Sequence, residues 1–281
     1  MNFLQLTGIG LRFPHDREAL SNPPPIAWFE VHSENYFVEG GEQLARLERI
    51  RSNYPVSLHG VGLSLGSADE LNWQHLKKLK ELAARIEPCL VSDHLSWSSV
   101  NGHYLHDLLP LPFTQTSLKH LINRIQLVQD YLRTQILIEN ITSYLAFNES
   151  AMVEEEFIQE VAKQAGCGIL LDINNIYVSS HHLHFDPYSY ITRISPHLVQ
   201  ELHVAGFSTI VINQEEKLID SHDELVAPPV WDLYQHAIQH LGAKPTIVEW
   251  DQKLPSLDTL CSEAMKAEEI MRGNRSRHGP G

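Results

Sequence analysis

The sequence predicts an α/β fold, a single (β/α)8 TIM barrel, from two observations. Short apolar runs that end in polar residues alternate with longer amphipathic segments, and we count eight such runs. Runs of this kind are typical of parallel strands that are buried on both faces and separated by helices. The length of 281 residues and the hydrophobic content of 43% suit one such barrel. We therefore predict one domain over residues 1–272 and a disordered tail over residues 273–281.

The eight predicted strands are each followed by turn or helix signals. In order they are Gly8–Phe13, Ala27–Val31, Val56–His59, Leu90–His94, Gln135–Ile141, Ile169–Asp172, Gln200–His203 and Thr246–Glu249. In a closed barrel the carboxyl ends of parallel strands surround one mouth, where the active sites of such barrels lie. Polar residues at these strand ends are therefore candidates for function.

The connecting segments predict helices and several longer connections. Ser67 is a plausible N-cap for a helix, because Glu70 follows three residues later. The stretch Asn101–Pro112 reads as a long functional loop, and Phe207–Pro228 reads as an inserted hairpin. We expect the histidines of residues 181–184 to lie in a surface loop.

Composition excludes several classes of function. The net charge of −14 disfavours a nucleic-acid surface, because such surfaces neutralise phosphates with Lys and Arg. The three cysteines are far apart, so we expect neither a disulfide framework nor a thiolate zinc site. The N-terminus lacks a basic region followed by a long apolar run, and no stretch approaches the ~20 apolar residues that span a bilayer. These features predict a cytoplasmic protein with no membrane contact.

The polar strand ends form a set of metal ligands. The candidates are His59, His94, Glu139, Asp172, His203 and Glu249, with Asp220 and His222 from the hairpin. Without a cation, carboxylates gathered at one mouth would repel each other and raise each other's pKa. Imidazole and carboxylate without thiolate suit iron, zinc or manganese rather than calcium. We predict a centre of two or three ions with Glu139 as the bridge.

Other polar residues are candidate substrate contacts or rim residues. They are His32, Glu34 and Asn35 after the second strand, His106 and Asp107 in the long loop, and Asn140 beside Glu139. For these residues the pattern leaves a pocket role and a solvated role open. Asp93 points to the opposite face of the pleat from His94, so it is expected to orient a neighbour rather than bind metal.

Eight segments together resemble one enzyme family, and they span almost the whole chain. They are residues 29–36 (FEVHSENY), 57–60 (SLHG), 92–97 (SDHLSW), 106–112 (HDLLPLP), 138–140 (IEN), 171–175 (LDINN), 201–206 (ELHVAG) and 220–222 (DSH). This set resembles the multinuclear non-haem iron-dependent oxidative enzymes, whose best-known member acts in methanobactin biosynthesis. The combination is far more specific than any one segment.

The resemblance implies a barrel enzyme whose two or three irons use dioxygen to modify cysteine or other residues in ribosomally made precursor peptides. Carried onto this sequence, it implies one iron held by His59, His94 and Glu139, a second by Glu139, Asp172, His203 and Glu249, and a third by Asp220, His222 and Asn175. Glu139, Asp172 and His203 would be the catalytic residues. It also implies a small partner protein that recruits the peptide leader. The sequence leaves a homodimer open.

The order of ligands also resembles that of endonuclease IV and of xylose isomerase-like barrels. This second resemblance implies an alternative, a zinc or manganese hydrolase or sugar isomerase that needs no dioxygen. Asn175 stands where the endonuclease pattern has a histidine, which disfavours the trinuclear nuclease. A third alternative is a metal-binding or peptide-carrier protein without catalysis.

Overall fold

The computed structural model describes residues 6–277, and its strands form one closed barrel and two hairpins. In chain order the strands are β1 (Thr7–Gly10), β2 (Phe29–His32), β3 (Val56–Gly60), β4 (Val91–His94), β5 (Trp97–Val100), β6 (His103–Leu109), β7 (Leu137–Glu139), β8 (Gly168–Asp172), β9 (Val199–Ala205), β10 (Ser208–Ile212), β11 (Glu215–Ile219) and β12 (Thr246–Glu249). Eight of them close in the order β1-β12-β9-β8-β7-β4-β3-β2, and every neighbouring pair is parallel. The predicted (β/α)8 barrel is confirmed.

Helices cover the outside of the barrel. They are α1 (His15–Ser21), α2 (Glu42–Arg51), α3 (Trp73–Ile86), α4 (Gln115–Leu132), α5 (Glu154–Ala165), α6 (Ile173–Leu183), α7 (Pro187–Arg193), α8 (Pro228–Leu241) and α9 (Leu257–Arg277). Their apolar residues recur at helical spacing and pack on the strands, as Leu76, Leu79 and Leu82 of α3 do. Among the described residues, no helix is both long and apolar enough to cross a membrane.

Two hairpins leave the barrel at the carboxyl ends of β4 and β9. Strands β10 and β11 form the hairpin that was predicted within Phe207–Pro228. The prediction of a loop over Asn101–Pro112 is wrong, because β5 and β6 pair as a second hairpin. Asn101 and Gly102 form its turn, with φ angles of 51° and 74°. An Asn-Gly pair between apolar segments is the residue choice that such a turn requires.

Helix boundaries differ from the predictions at three places. Helix α6 begins directly after Asp172 and includes His181 and His182, so these two are not in a loop. Helix α3 has Asn72 as its N-cap rather than Ser67, because the Asn72 side chain accepts from the His75 amide. Helix α9 continues to Arg277, past the predicted start of the tail, and residues 278–281 lie outside the described residues.

Helix α4 offers a direct test of how strongly the helical layer depends on its buried face. Leu121 is fully buried and Leu127 is 48% exposed on the same helix. Leu121→Ala should lower the free energy of unfolding by about 2–5 kcal/mol, because it removes buried methylenes and leaves a cavity. Leu127→Ala should change it by less than about 0.5 kcal/mol. Urea unfolding measures both, and equal losses would contradict the assigned packing.

Candidate metal centre

The strand ends bring their ligand atoms together at the carboxyl-terminal mouth of the barrel, hereafter the mouth. Groups of three side chains have ligand atoms that all lie within 4.8 Å of one another. We number four of them: the first group is His59, His94 and Glu139; the second is Glu139, Asp172 and His203; the third is Asp172, His222 and Glu249; the fourth is His32, Glu249 and Asp251. Shared carboxylates link the first three groups into one cluster.

The first group has both imidazoles aimed at one carboxylate oxygen. Glu139 Oε2 lies 3.3 Å from His59 Nε2 and 3.2 Å from His94 Nε2. On the far side of each ring, Nδ1 of His59 contacts the Ser92 hydroxyl at 2.8 Å, and Nδ1 of His94 donates to the Gly60 carbonyl at 3.0 Å. A proton held on Nδ1 leaves the Nε2 lone pair free for a metal.

Glu139 also faces the second group, as a bridging carboxylate must. Its Oε1 lies 3.7 Å from His203 Nδ1, on the opposite side from the first group. The same ring nitrogen lies 4.0 Å from Asp172 Oδ2 and 3.2 Å from Glu249 Oε2. Glu139 Oε2 and Asp172 Oδ2 are buried without a hydrogen-bond donor. These unsatisfied oxygens fit a site in which cations are their partners.

A deeper layer of side chains orients His203. Its Nε2 lies 2.9 Å from Glu30 Oε1, and Glu30 Oε2 accepts from the Ser57 hydroxyl at 2.8 Å. Glu30 and His203 are both fully buried. The carboxylate of Glu30 is therefore paired with the Nε2 side of the ring, and Nδ1 faces Glu139, Asp172 and Glu249, which is the arrangement found behind many metal-bound histidines.

The third group joins the barrel to the segment that follows β11. His222 Nδ1 lies 3.4 Å from Glu249 Oε2, and His222 Nε2 lies 2.7 Å from Asp220 Oδ1. The Asp220 carboxylate also accepts a hydrogen bond from Asn174, whose amide nitrogen donates to Oδ1 at 2.7 Å. Asn174 Oδ1 is buried and has no donor.

Asn175, which the resemblance assigned to a third iron, has both ends of its side chain engaged. Its Oδ1 accepts from Thr142 at 2.7 Å and its Nδ2 donates to the Asn140 carbonyl at 2.9 Å. Asn140 in turn bonds the backbone of Asp172 in both directions, at 2.9 and 3.0 Å. The contacts of Asn140 and Asn175 position the Asp172 segment, and the neighbouring Asn174 presents the unsatisfied oxygen.

Burial sets the protonation of the first group and of Asp172. It raises the pKa of Glu139 well above its usual range and raises the pKa of Asp172 to about 7. It lowers the pKa of His59 to about 4 and that of His94 well below its usual range. The two imidazoles are therefore neutral at pH 7, as metal binding requires.

The pKa values of His203 and His222 are raised, in contrast to those of His59 and His94. Burial alone would lower the pKa of each ring, but the carboxylates of Glu30, Glu139 and Glu249 raise the pKa of His203 well above its usual range. Asp220 does the same for His222, with Asp251 and Glu249 adding hydrogen bonds. In the metal-free chain these imidazoles carry the positive charge that the clustered carboxylates need.

The predicted substrate contacts are placed in three different environments. His32 is half-buried at the mouth, where its Nε2 lies 3.4 Å from Glu249 Oε1. Glu34 accepts from the Val61 amide and lies 3.3 Å from His75 Nε2, so it supports the segment after β3. Asn35 is exposed beside it, and His106 and Asp107 are exposed on β6. Of these five residues, only His32 belongs to one of the numbered groups of candidate metal ligands.

Sequence reasoning missed several residues that contact the predicted ligands. They are Arg12, Glu30, Asn174, Glu201 and Asp251. Two of these stand two positions before a predicted site residue of the same strand, Glu30 before His32 in β2 and Glu201 before His203 in β9. Residues i and i+2 of a strand share a face, so this spacing was the available signal. Asp93, predicted to orient a neighbour, accepts from the amides of Leu63 and His94.

Metal uptake should depend on pH through the two protonated carboxyls and through the charged imidazoles of His203 and His222, which must also lose a proton to bind an ion. Asp172, with a pKa of about 7, and Glu139 must lose their protons before they bind an ion. Affinity should therefore rise between about pH 6 and 8, with release of protons. Titration calorimetry in two buffers of different ionisation enthalpy measures the proton release. A constant affinity with no released proton would contradict the assignment.

Glu30→Gln should weaken metal binding without changing any of the proposed iron ligands. An amide holds the His203 proton less strongly than a carboxylate does, and the expected loss of metal affinity is about 10–100-fold. Glu263→Gln is the matched control, because Glu263 is equally buried but contacts Val226 and Lys266 on the outside of the barrel. Equal affinities in the two variants would exclude an orienting role for Glu30.

Comparisons with known proteins agree with this architecture. The profile of the family described as "RiPP precursor modification enzyme MbnB/TglH/ChrH" matches residues 6–272; RiPP denotes a ribosomally made, post-translationally modified peptide. A UPF0276 protein of Acaryochloris marina is 45% identical over 278 residues, covering 99% of each chain. Another, of Anaeromyxobacter sp., is 45% identical over 263 residues, covering 94% of this chain and 92% of the relative.

Solved structures show the fold class. A D-tagatose 3-epimerase-like protein superposes with a TM-score of 0.62 at 13% identity, covering 97% of this chain and 99% of that chain. A fusion protein of a xylose isomerase-like TIM barrel and a 4-hydroxyphenylpyruvate dioxygenase gives a TM-score of 0.64 at 12% identity, covering 99% of this chain, which spans 45% of the fusion protein. The fold is thus that of the xylose isomerase-like TIM barrels. By its sequence match over nearly the whole chain, the protein belongs to the MbnB/TglH/ChrH family of RiPP precursor modification enzymes.

Proposed function

We propose that the protein is an iron-dependent oxidoreductase that uses dioxygen to modify a cysteine in a ribosomally made precursor peptide. The observation that carries this proposal is the placement of Glu139 between two histidine-containing groups, with one oxygen toward each. A carboxylate in this position can bridge two ions. The mixed imidazole and carboxylate ligands of the first three groups suit two or three irons.

The residues fit their proposed roles in binding metal. His59, His94 and Glu139 would hold one iron, and Glu139, Asp172, His203 and Glu249 a second. His222 with Asp220 would hold the third, beside the unsatisfied oxygen of Asn174. Bound iron would supply the electron-transfer and oxygen chemistry that no protein side chain provides. Glu139, Asp172 and His203 are the proposed catalytic residues because they lie where these sites meet.

A cysteine of the peptide would bring a thiolate to a centre that has none of its own. All three cysteines of the chain lie elsewhere: Cys89 and Cys167 precede β4 and β8 at the amino ends, and Cys261 is on α9. Burial raises the pKa of Cys89 and of Cys167 to about 12. The protein's own thiols are therefore poor ligands, and a substrate thiolate would meet no competition from them.

The two hairpins provide surfaces that suit an extended peptide or a leader-binding partner protein. Both follow strands that carry proposed ligands, since β5 follows His94 and β10 follows His203. Each exposes apolar side chains, including Tyr104 and Leu105 on β6 and Val211 on β10. Exposed strands with apolar side chains favour pairing with another chain. His106 and Asp107 on β6 are proposed to contact the substrate there.

Glu139→Gln tests the bridge. After anaerobic reconstitution with ferrous iron, the unaltered protein should hold two or three irons by elemental mass spectrometry, with magnetic coupling in its oxidised Mössbauer spectrum. The variant should lose the coupling and at least one iron, because a neutral amide is a poor bridging ligand. Oxidation of a cysteine-containing precursor peptide should be abolished, while Glu263→Gln should retain all three properties.

Two results would count against the proposal. Full iron loading with intact coupling in Glu139→Gln would remove Glu139 from the bridge. Uptake of zinc or manganese alone, with iron unable to enter under reducing conditions, would instead favour a hydrolase or isomerase that needs no dioxygen.

A further inference from the structure

Arg12 is a buried cation at the mouth that the proposed function does not use. It follows β1, and only 7% of its surface is exposed. Its Nη2 lies 2.9 Å from Glu249 Oε1, 2.7 Å from Asp251 Oδ1 and 2.8 Å from His32 Nε2, and its Nε donates to the same Asp251 oxygen at 2.9 Å.

These three partners, His32, Glu249 and Asp251, are the fourth group of candidate metal ligands. Their ligand atoms meet the same 4.8 Å criterion as the groups that are proposed to hold iron. The fourth group also shares Glu249 with the third group, just as the first and second groups share Glu139. By ligand type and spacing it would be a further metal site, but the guanidinium lies among its ligands.

We propose that Arg12 is a built-in cation that takes the place of a metal ion in the fourth group and so limits the number of ions that the mouth can hold. The inference rests on the proposed metal centre. Because an arginine keeps its charge at any working pH, the two carboxylates of the fourth group have a counter-charge without a metal. Arg12 acts through Glu249, Asp251 and His32 and is a positioning residue.

The contacts of Arg12 fix the direction of two carboxylates. Glu249 Oε1 accepts a hydrogen bond from Arg12, and Glu249 Oε2 lies 3.2 Å from His203 Nδ1 and 3.4 Å from His222 Nδ1. Asp251 Oδ1 accepts a hydrogen bond from Arg12, and Asp251 Oδ2 lies 3.2 Å from His222 Nδ1. With Arg12 present, Glu249 thus has one oxygen for the metals and one for the guanidinium.

Gly10 makes room for the guanidinium. It lies two residues before Arg12, and a Cβ at Gly10 would lie 3.0 Å from Nη1 and 3.3 Å from Nη2 of Arg12. The carboxylates also act on the charge itself: burial alone would lower the pKa of Arg12, but Asp251 and Glu249 raise it above its usual range. Space, hydrogen bonds and charge all favour a guanidinium in this position.

The test compares how many divalent ions the chain binds with and without this charge. Metal-free protein is titrated with Mn²⁺ alone, and bound ions are counted by electron paramagnetic resonance of the free ion and by elemental mass spectrometry. Arg12→Met keeps an unbranched apolar stem but removes the guanidinium and its charge, and it should bind one more Mn²⁺ per chain than the unaltered protein. Arg12→Lys keeps the charge and should bind the same number as the unaltered protein.

Two further variants separate this effect from general damage. Arg46→Met removes another buried arginine, which pairs with Asp16 at 2.6 Å outside the metal groups, and it should leave the number of ions unchanged. The double variant Arg12→Met, Asp251→Asn removes a ligand of the fourth group and should lose the extra ion again. If Arg12→Met does not fold, Arg12→Gln replaces it with the same expectation.

The outcomes distinguish this inference from the proposed function. No binding of Mn²⁺ or of iron by the unaltered protein would overturn the metal centre itself. Normal binding by the unaltered protein, with no additional ion in the folded Arg12→Met or Arg12→Gln variant, would overturn only the role of Arg12. An extra ion in Arg12→Lys or in Arg46→Met would also overturn it, because neither variant removes charge from the fourth group.

Discussion

The mouth of this barrel is governed by a cluster of buried and half-buried carboxyl groups. The carboxylates within it are those of Glu30, Glu139, Asp172, Glu201, Asp220, Glu249 and Asp251, and among the described residues Arg12 is the one arginine or lysine in contact with them. Burying a charge is unfavourable unless a counter-charge and hydrogen bonds accompany it. Without metal, the clustered carboxylates hold protons or raise the pKa of the neighbouring histidines, so binding of metal in the proposed centre would be accompanied by proton release.

The barrel meets this constraint with two layers of side chains along the same strands. Ser57 and His59 share β3, and Ser92 and His94 share β4, two residues apart in each case. The deeper member contacts a side chain of another strand: Ser57 donates to Glu30, which lies against His203, and Ser92 contacts the proposed ligand His59. Since each ring nitrogen used by the deeper layer is unavailable to a metal, this layer would decide which nitrogen faces a bound ion.

The sequence was sufficient to predict which side chains lie at the carboxyl ends of the strands, but not which side chains of different strands contact each other. Glu139 and His203 could be predicted because parallel strands place their carboxyl ends at one mouth. The contact of Glu30 with His203 could not, because β2 and β9 are distant in the chain and side-chain direction across the barrel depends on strand register. Likewise Arg12 follows β1 as an ordinary surface charge would, and only the closed barrel brings it to Glu249.

Asp172 shows how the centre is connected to the surface where a peptide is proposed to bind. Its Oδ1 caps α6 by accepting from the Asn175 amide at 2.6 Å, while its Oδ2 faces His203. Ten residues further on, His182 of the same helix contacts the carbonyl of Leu218 in β11 at 2.8 Å. Helix α6 is therefore a rigid connection between a proposed iron ligand and the β10–β11 hairpin. Because β11 also leads directly to Asp220 and His222, the hairpin is connected to the second group through α6 and to the third group through the chain itself.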